Sequence, residues 1–491
     1  MKRLLLFILL VIIVIAIVVV YRAGSTFEDR QLEPVAGMGD VALNASLAVE
    51  RFSAALQFPT VSYDDRSQFD AGAFRAFRNF LESSYPLVNS RAQLTLVNDY
   101  SMVYHLPGSN PDLKPVLFMG HMDVVPVEEI TRAEWSYPPF SGTVADRIIW
   151  GRGSVDDKFT VIALMEAMEQ LLSEDMQPER SVFFAFGHDE EVGGKDGAAK
   201  VAHYFEQKGV TFEYVLDEGG VVLEGMIDGI DRPVAIIGVS EKGYVNLVLT
   251  VNAPGGHSSQ PPEQTAVGIL SRAIVAVENS PFRARLDAFY PTFDALGAEM
   301  PFSKRLAMAN LWLFAPLVKN IMLKNKDDAA GIRTTTAATM ISGSPKSNIL
   351  PTRATAVINF RILPGDRVEA VKDRVIELID DERVTVTAEY GVNPSPVSPS
   401  DSAGFELIAR TIRGMDDQIL VAPYMVRGGT DAKYFYALSP NVYRFMMLRI
   451  DPTTIGYVHG IDERVAVDDY LEAIRFYYHL IRNSISNGEY L

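Results

Sequence analysis

Five short segments in this chain each bring a histidine or a carboxylate into a glycine-flanked turn, and four of them directly follow a short apolar run. They are Gly120-His121-Met122-Asp123, Gly153 to Lys158 (GSVDDK), His188-Asp189-Glu190-Glu191, Asp217-Glu218-Gly219-Gly220 and Val458-His459-Gly460. Continuous apolar runs with helices between them predict strands covered on both faces. The runs are Val116 to Met119, Ser181 to Phe186 and Tyr214 to Leu216, with helical periodicity from Phe159 to Leu172. Ligands of open α/β sheets collect beyond the carboxyl ends of the strands. The expected fold is therefore α/β, a mostly parallel and doubly covered sheet whose rim gathers these five turns.

Near Ser240 the pattern changes. Tyr244 to Val251, Ala354 to Ile362 and Val384 to Tyr390 alternate apolar and polar residues, as half-exposed strands do. Helices are expected at Thr265 to Val277 and Arg367 to Ile379. This reads as an α+β lid inserted into the catalytic domain. The predicted division is an anchor at 1–23, a polar linker at 24–40, and the catalytic domain at 41–239 and 393–491. The lid occupies 240–392, with an apolar helical insertion at 281–330. A chain of 491 residues is long enough for such a two-domain plan.

The N-terminus carries Lys2 and Arg3, then Leu4 to Val20 without charge or proline. As a helix that run spans roughly 26 Å, close to the hydrocarbon thickness of a bilayer. It is long for a cleaved signal peptide and no small-x-small site ends it, which favours an uncleaved anchor. Lys2 and Arg3 then stay cytoplasmic and the rest lies outside the cytoplasm, periplasmic or lumenal, or secreted if the segment is removed. A net charge of −17 argues against nucleic acid as a partner.

With no cysteine in the chain, thiolate metal ligands and a cysteine nucleophile are excluded. The five turns instead suit a pair of N/O-ligated divalent cations. His121 is a candidate ligand, and Asp123 can accept its second ring N–H. Asp157 suits a helix cap, leaving Asp156 free to bridge two metals. One of Glu190 and Glu191 can ligate while its neighbour acts as base. Asp217 and Glu218 end another strand. Three negatives from Asp156, Glu191 and Asp217, plus a hydroxide, balance the four positive charges of two cations.

In this order the segments resemble the zinc aminoacylase and carboxypeptidase metallopeptidase family, in particular carboxypeptidase S and the N-fatty-acyl amino acid hydrolases. The likeness runs from about residue 45 to the end. It includes WSYPPFSG at 135–142, GRGSVDDK at 151–158, GHDEEVGG at 187–194, GGHSSQPP at 255–262, RTTTA at 333–337, SNILP at 347–351, NFRILPGD at 359–366, GGTDA at 428–432 and HGIDER at 459–464. The resemblance implies two Zn2+, with Mn2+ or Co2+ feasible. It implies that His121 and Asp217 bind one metal, Glu191 and His459 the other, and that Asp156 bridges them, with a cis peptide to Asp157. Asp123 would orient His121, Glu190 would be the general base, and His257 would polarise the scissile carbonyl. Asn348, Arg361, Gly429 and Thr430 would hold the substrate, a small peptide or N-acyl amino acid with a free carboxylate. Dimeric relatives supply the lid histidine from the partner, so a homodimer through the lid is implied. Tyr434 departs from the pattern, since relatives often carry a histidine there.

Overall fold

A computed structural model describes residues 1–486. Val116–His121 and Val182–Gly187 are strands buried at every position, and Val215–Asp217 is buried throughout. The helix Lys158–Ser173 crosses between the first two and is itself buried over nearly its whole surface. It packs on the strand Val116–His121 and on the long helix Val467–Ile485. Phe52, Phe159 and Tyr470 meet at the centre of this core, with Phe52 and Tyr470 stacked at 4.4 Å.

The central sheet has ten strands and is mixed, which corrects the expectation of a mostly parallel sheet. Val116–His121 runs parallel to both Val182–Gly187 and Val215–Asp217, and Leu420–Val426 runs parallel to Val234–Glu241. Gln93–Val97 and Ser101–Leu106, however, form a tight antiparallel hairpin on one side, and Ser101–Leu106 pairs antiparallel with Val182–Gly187. A three-residue turn, Asn98 to Tyr100, with Asn98 and Asp99 left-handed, makes that hairpin possible, and no crossover helix is needed. Further along, Val222–Leu223 pairs antiparallel with Val234–Glu241.

The register places the site. His121 lies opposite Gly187, and Phe118 opposite Leu216. The turns after these three strands therefore leave the sheet side by side at one carboxyl rim.

The lid is a separate four-stranded antiparallel sheet of Gly243–Asn252, Arg353–Ile362, Thr335–Ser342 and Val384–Val392. Helices Ala266–Glu278 and Val368–Ile379 cover one face around Val245, Leu247, Leu270, Ile358, Phe360 and Val375. Alternate burial along Arg353–Ile362 is the half-exposed pattern the sequence predicted.

The apolar insertion is helical, comprising Tyr290–Leu296, Phe302–Ala309, Leu311–Met322 and Lys326–Ile332. Phe293, Leu296, Met300 and Met308 pack on Ile236, Leu420 and Ala422 of the catalytic sheet and on Phe27. The polar linker at 24–40 also touches this region. Gln31 exchanges hydrogen bonds with the backbone of Val421, its Oε1 accepting at 2.7 Å, and donates to the carbonyl of Ala295 at 3.2 Å.

Candidate metal centre

Asp156 sits on the loop that enters the helix Lys158–Ser173. Gly153 turns that loop with a φ of +87°, and the Asp156–Asp157 peptide is cis. Three backbone N–H groups of the loop, from Gly153, Val155 and Asp156, donate to one oxygen of Glu463 at 3.0, 2.8 and 3.2 Å. The other oxygen of Glu463 accepts from Arg152 at 2.6 Å, and Arg152 also donates to the carbonyl of His459. The loop carrying Asp156 and the loop carrying His459 are thus fixed to each other by a buried ion pair.

The result is a shared carboxylate. Asp156 Oδ1 lies 2.9 Å from His121 Nε2, and Asp156 Oδ2 lies 3.0 Å from His459 Nε2. Glu191 Oε2 is 3.2 Å from His459 Nε2, and Glu218 Oε1 is 3.6 Å from His121 Nε2. Two donor groups follow, His121–Asp156–Glu218 and Asp156–Glu191–His459, each with its ligand atoms within 4.8 Å of one another. Nδ1 of His121 faces the carbonyl of Asp123 at 2.9 Å, so its N–H is satisfied there and Nε2 is the atom left to face a cation. Glu191 Oε1 is buried without a hydrogen-bond partner. Two imidazoles, one bridging and two terminal carboxylates, and an unpartnered buried oxygen fit a pair of zinc ions or similar divalent cations.

The electrostatics agree. Burial opposes a charge on His121, but Asp123, Asp156 and Glu218 override it and hold the ring's pKa well above the ordinary value. Asp156 and Glu191 raise His459 to about 10. Burial, with the charge of Asp156, pushes Glu218 up to about 8. In the absence of cations, protons gather where cations would sit.

Among the expected ligands, Asp217 lies outside both candidate groups, and its neighbour Glu218 lies in the first. Asp217 ends its strand, and its Oδ2 accepts the N–H of Ala432 at 2.7 Å. Successive residues leave a strand toward opposite sides, so only one of the two acids can face His121. The carboxylate of Asp123 reaches past His121, at 3.5 Å from Nδ1, and accepts the N–H groups of Glu190 and Glu191 at 3.1 and 3.2 Å. It therefore shapes the acidic turn, while its carbonyl orients the ring. Asp157 occupies the helix N-cap, but its carboxylate accepts the N–H of His121 at 3.2 Å instead of capping. Of the acids after Val182–Gly187, Asp189 is paired with Arg66 at 3.0 Å and accepts the N–H groups of Asp196 and Gly197. Glu191 joins the donors and Glu190 stays outside them. Burial raises the pKa of Glu190 well above the carboxylate range, reinforced by Asp431 and Glu218.

None of the substrate candidates belongs to either donor group. His257 is exposed on a two-stranded ribbon with Ile349–Leu350, its Nδ1 2.7 Å from the Ser259 hydroxyl. Asn348 closes the same ribbon by accepting the N–H of Ser258. Arg361 lies over the Tyr244 ring at 4.8 Å, with no ion pair among the described residues. The hydroxyl of Thr430 donates to buried Glu241 at 2.6 Å, and Glu241 is paired with Arg444. That hydroxyl is thus committed to the fold, and Gly429 beside it has open space around its α-carbon. Tyr434 donates to the carbonyl of Gly193 at 2.7 Å, tying this turn to the acidic one. Sequence reasoning passed over Glu218, Arg152 and Glu463 as site residues. The doubled acid and the HGIDER run were the available signals.

Fold and donor geometry define a class, a metal-dependent hydrolase with two adjacent cation sites on an α/β scaffold. The sequence profile of Peptidase family M20/M25/M40 matches residues 117–483, and the chain belongs to that family. It is 38% identical to the probable carboxypeptidase S-like 2 of Dictyostelium discoideum, over 89% of this chain and 84% of that protein. It is 37% identical to the human N-fatty-acyl-amino acid synthase/hydrolase PM20D1 (90% and 88% covered) and 32% identical to carboxypeptidase S of Saccharomyces cerevisiae (89% and 84%). In fold it is similar to an M20 family metallo-carboxypeptidase from Sulfolobus solfataricus, with a TM-score of 0.65 at 19% identity, covering 89% of this chain and 99% of that one. The protein is a zinc-dependent metallopeptidase or amidohydrolase of this family.

Proposed function

We propose that the protein hydrolyses the amide bond of a short peptide or N-acyl amino acid that keeps a free carboxylate. The observation that carries this reading is Asp156, which turns one oxygen to each histidine while Glu190 stays beside the donors and outside them. Two divalent cations held by His121, Asp156, Glu218, Glu191 and His459 would supply Lewis acidity and lower the pKa of a water toward neutrality. Glu190 takes a proton from the attacking water and returns it to the leaving amine. Lid closure brings His257 to the carbonyl oxygen, where it donates as negative charge develops. Arg361, exposed and with no carboxylate partner among the described residues, selects the free carboxylate by bidentate pairing. Gly429 and Asn348 line the path of the substrate backbone.

The relatives' names span both acyl groups, peptide and fatty acyl. The apolar insertion favours neither directly, since it packs on the catalytic sheet. The helix Lys2–Ser25 is long and apolar enough to cross a membrane. We read it as an anchor that holds the catalytic domain outside the cytoplasm, and the lid as the surface for a homodimer. Zinc-loaded enzyme tested on dipeptides, N-acetyl and N-oleoyl amino acids decides the substrate class. Glu190→Gln is expected to keep both metals and lose roughly 10²- to 10⁴-fold in turnover. Full turnover in that variant rejects the role of Glu190, and cleavage of none of the panel rejects the substrate class.

A further inference from the structure

The helix Leu311–Met322 has two apolar faces, and only one is used. Leu311, Val318 and Met322 recur at helical spacing and turn inward, against Leu286 and Ile332. On the opposite side Trp312, Leu313, Leu317 and Ile321 are 60, 44, 54 and 58% exposed. Pro316 is exposed between them and Phe302 on the preceding helix adds to the same apolar character. A helix that merely covered a soluble core would put charge on that outer face. Here charge is kept to Lys319 near the end of the helix and Lys324 in the turn after it, with Lys326, Asp327 and Asp328 opening the next helix.

The place of this helix identifies what covers it. Asn310, fully buried at its start, donates to the carbonyl of Val19 at 3.0 Å. Arg22 donates to the carbonyl of Ala309 at 2.9 Å. Val19 and Ala23 are the two residues of the N-terminal helix that are buried, whereas Leu4 to Val18 are exposed at every position. The end of the apolar span is thus clamped to the start of the helix Leu311–Met322. The indole N–H of Trp312 closes the clamp by donating to Asn310 Oδ1 at 3.3 Å. Residues 24–40 do not loosen it, because Phe27 and Gln31 dock the chain on the sheet just beyond. Once Lys2–Ser25 crosses a bilayer, Trp312 stands within a turn or two of the level at which it emerges. Tryptophan and apolar side chains at that depth, with lysines beside them, are the composition of a helix lying in a membrane interface.

We propose that Leu311–Met322 is an interfacial helix that lies in the outer surface of the bilayer its own anchor crosses, with a phospholipid surface as the occupant of its exposed face. The anchor and this helix then give the domain two membrane contacts and one fixed orientation. The proposal rests on the reading of Lys2–Ser25 as a membrane span.

The full chain, reconstituted in phosphatidylcholine vesicles, tests it. Trp312 is one of 3 tryptophans, and the chain contains no cysteine to interfere with labelling. With lipids brominated near the headgroup end of the acyl chain, the wild-type emission is expected to fall and Trp312→Phe to lose that quenchable part. Lipids brominated near the chain terminus are expected to quench it less. A nitroxide on Leu317→Cys is expected to be shielded from a water-soluble relaxation agent and reached by oxygen, whether or not the indole is replaced. Equal quenching of wild type and Trp312→Phe, with a water-accessible nitroxide at 317, overturns the proposal in protein that floats with the vesicles. Efficient disulfide formation between two Leu317→Cys chains at low protein-to-lipid ratio also overturns it, in favour of a second copy on this face. Failure of the wild-type chain to float at all is a different result, which removes the anchor itself.

Discussion

Asp217 and Glu218 are adjacent acids with different work. Glu218 faces His121 Nε2, whereas Asp217 holds the backbone of Ala432. Glu218→Gln is therefore expected to cost the protein one of two bound metals, counted by elemental analysis, and most of its activity. Asp217→Asn keeps an oxygen that can accept from Ala432, so it is expected to retain both metals and lose about 1 kcal/mol of stability or less. If Asp217→Asn loses a metal and Glu218→Gln does not, the geometric assignment fails. Composition and spacing made the doubled acid visible as a site, but choosing between neighbours depends on which side of the strand end each leaves. That choice is made by register with Val116–His121, a contact between distant segments. Asp123 teaches the same lesson, since its carboxylate and its carbonyl serve different partners.

At the scale of elements, one buried ion pair joins two loops. Glu463 accepts from three N–H groups of the Asp156 loop and pairs with Arg152, which in turn holds the carbonyl of His459. Removing one partner of a buried pair leaves the other uncompensated, at about 3–5 kcal/mol. Glu463→Gln is expected to lower stability in denaturant titration by that order and to weaken metal retention, although no atom of Glu463 is in either donor group. Unchanged metal affinity in a folded Glu463→Gln would show that the two loops hold their spacing without it. Much of the element plan was legible. The helix expected from Phe159 to Leu172 is Lys158–Ser173, and the lid strands follow their alternation. The direction of pairing in the central sheet was not legible, because an apolar run records burial on both faces and says nothing of which way its neighbour runs. The packing partner of the 281–330 insertion was hidden for a similar reason: apolar composition requires a partner without naming it.

For the whole molecule, the cations act as a tie between the strand-end turns and the returning C-terminal segment. Ligands from five separate stretches of chain meet only in the folded state, so metal binding is also stabilisation, about 2.7 kcal/mol at a free concentration 100 times Kd. Chelation is expected to lower Tm and added zinc to restore it, read by calorimetry in detergent. Binding must also displace protons. Glu218 with a pKa near 8 and His459 near 10 carry protons at pH 7 when no cation is present, and both must give them up to ligate. Apparent affinity is therefore expected to rise with pH between 7 and 9, and zinc titrations in buffers of different ionisation heat should report proton release. Affinity that is flat with pH would contradict these protonation states.

His459 and Glu463 enter the centre from beyond the entire lid. During synthesis the first donor group is complete in sequence once Glu218 has left the ribosome, whereas the second waits until the whole lid has been made and His459 follows it. A chain cut between Glu218 and His459 is therefore expected to keep one half of the centre and to lose the other, together with the Arg152–Glu463 pair that joins the two loops.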